Sequence, residues 1–440
     1  VFSQYRESDS SLIVNEFRKQ GYKNFSQDKE ATFSFKQSFF LNNNLPNMEN
    51  LNGINIPKGY GTINSLFLKY SNNFLSFTIE PQLFQNKKLV NNKKNKEKNY
   101  LTINQNRLKN LGILFSFSNL KFGYGNWGNW VGPGVHNSLL LSNNSESFNH
   151  FKILLASNFK FFKEKIDDKI KYITSEALKN SINSNFYISL LSINFNIKKI
   201  NYGYNKIILS GGQSEIEWSK FDANFVIISN DNIHIWDQIE SFHIEYEDLN
   251  TGLIIYTEIG YPNRSFGDKN PENYNRHNQG TLLGFRKYGV LNNDNLMFGL
   301  EYLRLVQGYY YNILPTKNWY DDIKYNYYKI NGKYMGAHSG PDSDDFIIYF
   351  GFLNRSYSGI ISLNYERRGV TYHFPPEVKF EYRMSIGYQL KNINISINYE
   401  NEYLEHFNFM DLPQNVWEET FEPGSIQRTK TLLLSLEYKI

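Results

Sequence analysis

The chain has 440 residues, of which 40% are hydrophobic, 17% aromatic and 20% charged, and its mean hydropathy is −0.53. So many aromatic residues exclude a disordered chain. The absence of cysteine excludes disulfides, thiolate metal sites and a cysteine nucleophile. The formal charge of +4 is too balanced to indicate nucleic acid as a partner.

The first 30 residues show no regular alternation of apolar and polar side chains. We expect them to form a periplasmic or plug segment, with Ser10 and Ser11 as caps of a short helix. The start has no charged region followed by an apolar stretch. Val1 is therefore interpreted as a mature N-terminus from which a signal peptide has been removed.

Apolar and polar residues alternate along nearly all of residues 31–440, for example at residues 33–39, 75–80, 296–302 and 380–386. This pattern predicts β-strands with one apolar and one polar face. The apolar faces would meet each other in a soluble sandwich or propeller, or meet lipid in a membrane barrel. No stretch has the roughly 18–20 consecutive apolar residues of a spanning helix.

The lengths of the predicted connections favour the membrane barrel over the soluble alternatives. Short connections are expected at residues 71–73, 248–251, 291–295, 354–356 and 391–392. Long loops are expected at residues 42–61, 85–99, 128–150, 261–280, 306–345 and 409–428, and residues 163–180 are expected to be a solvated helix. Short turns alternating with long loops are typical of an all-β, antiparallel outer-membrane barrel with periplasmic turns and extracellular loops. The sequence therefore predicts one barrel over residues 31–440 with an even number of strands.

Residues 123–150 combine five glycines with Trp127, Asn129, Trp130 and Asn137. Flat aromatic faces beside amide donors suit a sugar, whose C–H groups stack on rings and whose hydroxyls bond to amides. The alternative is structural, since tryptophan also anchors membrane interfaces or fills a barrel mouth. Further candidate sugar contacts on the long loops are Tyr309, Tyr310, Trp319, Tyr320, Arg264 and Arg276, with basic support from Lys87, Lys88, Lys93 and Lys94.

The last segment also alternates and then ends on an apolar residue. One face carries the residues Leu432, Leu434, Leu436, Tyr438 and Ile440. This ending resembles the C-terminal targeting signature of Gram-negative outer-membrane barrels, although a terminal phenylalanine would be the usual form.

Two motifs resemble those of the Wzi-type capsule-assembly proteins of the outer membrane. The first, WVGPGVHNSLLLSNN, contributes Gly132, Pro133, Gly134, Ser138, Leu139, Leu140, Leu141, Ser142, Asn143 and Asn144. The second, YNYYKINGKYMGAHSGPDSDD, contributes Gly336, Gly340, Pro341 and Asp342. The chain departs from the family in its short N-terminal segment and at residues 145–147, where the family has small and proline residues.

The resemblance implies an 18-stranded barrel with a periplasmic helical part and a lectin-like role in attaching capsular polysaccharide to the cell surface. The implied partners are capsular or other surface polysaccharide, outer-membrane lipid and lipopolysaccharide, and other outer-membrane proteins. The alternative is a porin, or a barrel component of a larger outer-membrane transport or assembly complex.

Catalysis is not expected. His136 lies near Ser138 in sequence, but no H-E-x-x-H or G-x-S-x-G pattern is present. Asp342, Asp344 and Asp345 could offer oxygen ligands to Ca²⁺, but three closely spaced aspartates without a bidentate partner favour an acidic solvated loop. No cofactor and no metal ion is therefore expected.

Overall fold

The computed structural model describes most of the chain from residue 31 onward. The described ranges are residues 31–46, 48–54, 56–91, 98–161, 164–180, 183–212, 237–248, 250–262, 279–306, 319–320, 322–354, 356–371, 375–407 and 426–440. The predicted N-terminal segment of residues 1–30, including its expected helix, lies outside them.

The molecule is a closed antiparallel β-barrel of 18 strands, as expected. The barrel strands are β1 (Ala31–Asn42), β2 (Gly59–Ser71), β3 (Leu75–Asn91), β4 (Lys98–Phe117), β5 (Leu120–Gly125), β6 (His150–Phe161), β7 (Glu164–Ser175), β9 (Asn185–Ile197), β10 (Ile200–Gly211), β11 (Asp237–Asp248), β12 (Leu253–Pro262), β13 (Gly280–Val290), β14 (Asn293–Arg304), β17 (Ser343–Leu353), β18 (Tyr357–Arg368), β19 (Glu377–Leu390), β20 (Ile393–Glu405) and β21 (Gln427–Lys439). Each strand pairs with its neighbour along the chain, and the first pairs with the last, with Phe39 opposite Leu434. Closure pairs the first strand with the last, so neither is left as a free edge of the sheet.

Four short elements complete the described structure. They are β8 (Leu178–Lys179), which adds to the end of β9, a separate hairpin of β15 (Lys329–Ile330) and β16 (Lys333–Tyr334), and a 3-10 helical segment at Ile323–Tyr328 that is kinked at Tyr325–Tyr327. Within the described part of the chain, no helix is long and apolar enough to cross a membrane.

The outer face of the barrel carries the apolar side chains that the alternation predicted. On β21, Leu434 and Leu436 are 41% and 47% exposed, whereas Ser435 between them is buried and hydrogen-bonds to Ser38. The two faces follow directly from the two-residue period of a strand. At the turn end, Phe74 and Phe117 pack edge to face and form part of an aromatic girdle.

Two local predictions are wrong. Most of residues 85–99 is not a loop, because β3 continues to Asn91 and β4 begins at Lys98. The predicted helix at residues 163–180 is wrong over its described part, residues 164–180, because β7 fills Glu164–Ser175. The charges of β7 lie on a sheet pairing with β6 and β9, and the ladder hydrogen bonds override the weak helical preference of lysine-rich sequence.

The two ends of the barrel differ. The turn end has short connections such as those between β9 and β10 and between β13 and β14. The loop end has long connections. The described parts of three of these, residues 43–58, 126–149 and 319–342, turn inward and pack inside the barrel. We refer to these three segments together as the plug.

Candidate functional site

The plug closes the loop half of the lumen around an apolar core. Leu139, Leu140 and Leu141 are almost fully buried, and so are Trp319 and Tyr328. They share one core with the inward-facing residues Phe186, Ile188, Leu190, Ile207, Leu209, Ile239, Ile254, Leu282 and Met297 of the barrel wall. Burial of this much apolar surface stabilises the inward position of the plug.

The first family-like motif folds back on itself. The indole N–H of Trp130 donates to the carbonyl of Gly134 at 2.8 Å, and the amide of Val131 donates to Leu141 at 2.9 Å. Gly132 has a φ of +93°, and a Cβ at Gly134 would lie only 2.1 Å from the carbonyl oxygen of Asn137. The two glycines around Pro133 are therefore required by the tight path of the backbone.

A single carboxylate on the barrel wall holds this motif. Glu301 on β14 is fully buried and accepts hydrogen bonds from the amides of Val135 at 2.7 Å and Asn137 at 2.6 Å. It also accepts from the amide of His136 at 3.2 Å and from the hydroxyl of Tyr256 at 2.6 Å. Charge-assisted bonds of this kind are about twice as strong as neutral ones, so Glu301 is the main polar anchor of the segment.

The second family-like motif, together with Tyr320 just before it, packs directly on the first. Tyr320 donates its hydroxyl to the carbonyl of Leu139, and Tyr328 donates to Leu140 at 2.8 Å. Burial raises the pKa of Tyr320, so its hydroxyl remains a donor. A Cβ at Gly336 would lie 2.3 Å from the Tyr320 hydroxyl, and one at Gly340 would lie 2.5 Å from the Tyr334 ring. The spaced glycines therefore make room for tyrosines.

The SLLLSNN stretch links all three plug segments through its polar residues. Ser142 donates its amide to Met335 at 2.6 Å and its hydroxyl to Gly336 at 2.6 Å. The carbonyls of Asn143 and Asn144 accept the amides of Asn52 at 2.7 Å and Gly53 at 3.1 Å. Ser138 turns inward instead, and its hydroxyl donates to Val131 at 2.5 Å. The motif therefore connects the three plug segments through hydrogen bonds, which is a structural role.

The lumen beside β19 and β20 is charged. Glu49 of the plug pairs with Lys379 and with Arg383 of β19, the latter at 3.0 Å, and Arg383 also pairs with Glu400 of β20. Burial alone would raise the pKa of Glu49, but the positive charges of Lys379, His338 and Arg383 outweigh it and hold the pKa well below its usual range. Buried charges need such partners.

Two histidines and an aspartate meet between the two longer plug segments and the wall. The Nε2 atoms of His136 and His338 lie 3.4 and 3.2 Å from the same oxygen, Oδ2 of Asp345 on β17. Burial lowers the pKa of His338, but its contacts with the carboxylates of Asp345 and Glu366 outweigh that effect and raise it to about 10. All three side chains of this cluster are buried.

The three neighbouring aspartates of the second motif do not form a shared calcium site. Asp342 accepts from the amide and hydroxyl of Thr371, whereas Asp344 pairs with Arg367. Asp345 points to the histidines instead. The sequence expectation of a solvated loop is wrong for these residues, because all three are buried. Asp344 and Asp345 lie on the strand Ser343–Leu353, whose successive side chains face opposite sides.

Below the plug, toward the turn end, the lumen contains a polar cavity of about 260 Å³. Its roof is the Trp130–Pro133 part of the plug. Its walls are the inward residues Asp167, Lys169, Lys171, Ser192, Asn194, Asn196, Asn201, His243, Glu245, Glu247 and Arg286. Three positive and three negative side chains line it, so the cavity has no strong preference for one sign of charge.

The sequence-predicted sugar contacts fall into two groups. Trp127, Trp130, Trp319 and Tyr320 are 2%, 8%, 1% and 3% exposed, and Asn129 and Asn137 are also buried. Their positions favour the structural alternative, and sugar contact at them stays a prediction. Tyr309, Tyr310, Arg264 and Arg276, together with Lys93 and Lys94, lie outside the described residues, as does the side chain of Lys88.

An exposed edge of the plug was missed by the sequence reasoning. Tyr327 and Ile323 are 43% and 54% exposed, and Asn331 lies at the exposed tip of the β15–β16 hairpin. Asn326, Tyr327 and Tyr328 all adopt a φ near +55 to +59°, a conformation that non-glycine residues rarely hold. The sequence signal for this edge was the cluster of tyrosine and asparagine residues in YNYYKIN. The cluster was used only as part of the family resemblance, and no role was predicted for it.

No family model and no curated protein matches the chain. Among solved structures, the chain is similar to Wzi of Escherichia coli, which is described as an outer-membrane, carbohydrate-binding β-barrel involved in group 1 capsule assembly. The TM-score is 0.62 and the sequence identity is 12%, and the match covers 92% of this chain and 84% of that one. It also matches Acinetobacter baumannii OccAB4 (TM-score 0.47, 9% identity, 94% and 99% covered) and Pseudomonas aeruginosa OccK3 (0.47, 11%, 98% and 99%). The fold is that of outer-membrane barrels.

Proposed function

We propose that this protein is an integral barrel of the Gram-negative outer membrane that binds capsular or other surface polysaccharide and helps to assemble or anchor it, without catalysis. The proposal includes membership of the Wzi-type family. The observation that carries it is the plug: the loop half of the lumen is filled by an apolar core across the described residues. A general porin keeps a water-filled channel, and this packing opposes one.

The likeness to Wzi in fold supports the proposal, because that protein is described as carbohydrate-binding. The two family-like motifs add support, since they form the joint that seals the plug. They act on the polysaccharide indirectly in this proposal. They keep the lumen shut and hold the exposed edge of the plug in a fixed position.

The exposed edge is the proposed contact surface. Tyr327 offers a ring to the C–H face of a sugar. The side-chain NH₂ group of Asn331 donates to Glu146, and its carbonyl oxygen can accept from sugar hydroxyls. Lys329 lies over the Tyr334 ring at 4.3 Å and adds a positive charge for an acidic sugar. Each contact is weak, but a repeating polymer engages several copies at once, and effective affinity rises through multivalency.

The test uses Tyr327→Ala combined with Asn331→Ala, at unchanged barrel abundance in the outer membrane. We expect capsule to be released into the medium and the purified variant to lose binding on a glycan array. The matched control is Tyr357→Ala, which removes a tyrosine of similar exposure at the turn end. Full capsule retention by the double variant would remove this edge from the site.

Conductance separates the proposal from its alternative, a porin or a barrel of a transport complex. Wild-type protein in a planar bilayer should show no steady openings of porin size. Such openings, with no signal on the glycan array, would overturn the polysaccharide-binding function and favour transport.

A further inference from the structure

The cluster of His136, His338 and Asp345 brings together three parts of the chain that the barrel strands do not connect directly. His136 belongs to the residue 126–149 segment, His338 to the residue 319–342 segment, and Asp345 to the wall strand β17. We propose that these three side chains bind one divalent transition-metal ion, with Zn²⁺ as the best fit, which fastens both plug segments to the barrel wall.

The donor set selects the class of ion. Two imidazole nitrogens and one carboxylate oxygen are typical ligands of zinc and of other first-row transition metals. Calcium and magnesium take oxygen ligands instead. The site also offers three protein ligands from buried side chains, which leaves the fourth position of a tetrahedron for a water molecule.

The distances fit a tetrahedral site. Ligands about 2.0–2.1 Å from zinc lie about 3.3–3.4 Å from one another in a tetrahedron. The Nε2 atoms of His136 and His338 lie 3.4 and 3.2 Å from Oδ2 of Asp345. Oε2 of Glu366 lies 3.4 Å from Nε2 of His338, but it clusters with Glu49 and His338 rather than with His136 and Asp345, so water is the expected fourth ligand.

The orientation of His338 is a second, independent observation. The side chain is 1% exposed, yet neither of its ring nitrogens makes a hydrogen bond. Its Nε2 atom lies close to two carboxylate oxygens, but the N–H direction meets neither of them. A buried polar atom without a hydrogen bond is costly. A metal ion between the nitrogen and the oxygens would take the place of the Nε2 proton, which is released on binding, and would satisfy the nitrogen.

The surrounding residues orient the carboxylate ligand. Asn137 donates its side-chain amide to Oδ2 of Asp345 at 2.8 Å, and Asn364 donates to Oδ1. Such outer partners fix ligand orientation in metal sites. Lys379 and Arg368 pair with Glu366, so its negative charge is balanced and Asp345 is the one carboxylate of the cluster available to offset the ion.

The experiment measures zinc on the full chain without a polyhistidine tag, after removal of metals with a chelator. Equilibrium dialysis against Zn²⁺ should load one ion per chain, and X-ray absorption should show only nitrogen and oxygen neighbours at about 2.0–2.1 Å. His136→Asn and His338→Asn should each weaken binding by more than about 100-fold, beyond the effect of losing an outer partner. The control His243→Asn, a buried histidine at the lumen cavity, should bind zinc as the wild type does.

Wild-type protein that binds no zinc at micromolar concentration overturns the proposal, and so does zinc binding that survives both histidine variants. If those variants do not fold, Asn364→Ala provides the second measurement. It removes a positioning residue and should weaken zinc binding by about 10- to 100-fold. The site would also be contradicted if Asn364→Ala kept the wild-type zinc affinity and the X-ray absorption spectrum showed no histidine ligand of the bound zinc.

Discussion

Replacing Glu301 with glutamine should release the 126–149 segment from the barrel wall. The carboxylate accepts on both oxygens: Oε2 takes the Val135 amide and the Tyr256 hydroxyl, and Oε1 takes the Asn137 amide. A glutamine has one carbonyl oxygen and one NH₂ group. In either orientation, at least one backbone N–H then faces another donor.

The cost follows from these contacts. A hydrogen bond to a charged group contributes about 1.5–3 kcal/mol. The Tyr256 hydroxyl can rotate and accept from the new amide, so its bond is recovered. The loss of the Val135 bond and the weakening of the Asn137 bond together correspond to about 2–4 kcal/mol. The opening equilibrium of this segment should therefore shift by roughly 30- to 1,000-fold.

Hydrogen exchange at the amides of residues 135–137 measures this opening directly. The rates should rise by that factor in Glu301→Gln, while amides in β1 and β21 keep their protection. The control Glu437→Gln changes a glutamate near the turn end, whose contacts are with Asn394 and Lys439 alone among those described here. Unchanged exchange at residues 135–137 in Glu301→Gln would refute the assignment of Glu301 as the anchor.

Three further changes test other parts of the fold. Leu434→Arg places a charge on the lipid face and should lower the free energy of unfolding in lipid vesicles by about 2–4 kcal/mol. The control Leu291→Arg, at a turn tip where the side chain is 84% exposed, should change this free energy little. Equal effects of the two substitutions would contradict a membrane-facing apolar band. Gly134→Ala should disrupt the plug, because its Cβ would overlap the Asn137 carbonyl, and protease cleavage within residues 126–149 should increase while the barrel remains folded. Trp319→Ala should leave a cavity in the apolar core and cost about 3–5 kcal/mol, measured as a lower urea midpoint; a normal midpoint would mean that the plug is not coupled to barrel stability.

The barrel could be predicted from the sequence because lipid imposes a simple rule on the outer face. Leu434 and Leu436 must be apolar whatever fills the lumen, and the alternation records this. The tryptophans were harder to interpret. Trp127 and Trp130 lie in a glycine-rich segment that suits a ligand loop and a buried joint equally well, and only the inward path of the backbone distinguishes the two.

The histidine–aspartate cluster could not be predicted for a different reason. His136 and Asp345 are more than 200 residues apart, and they meet because two long connections fold into the same barrel. Asp345 was also grouped with Asp342 and Asp344 by proximity in sequence. Asp342 lies before β17, whereas Asp344 and Asp345 are successive residues of β17 and therefore face opposite sides of the barrel wall.

The depth of the plug is nevertheless recorded along single strands. On β9 the inward-facing residues change from Phe186, Ile188 and Leu190 to Ser192, Asn194 and Asn196. The first three pack on the plug, and the last three line the polar cavity beneath it. A barrel strand with two apolar faces in one half and one apolar face in the other therefore indicates where the lumen is filled. An open, water-filled lumen would require polar residues along the whole inner face. Apolar residues on the inner face of one half of a strand are therefore a signal, readable in the sequence, that this half of the lumen is filled.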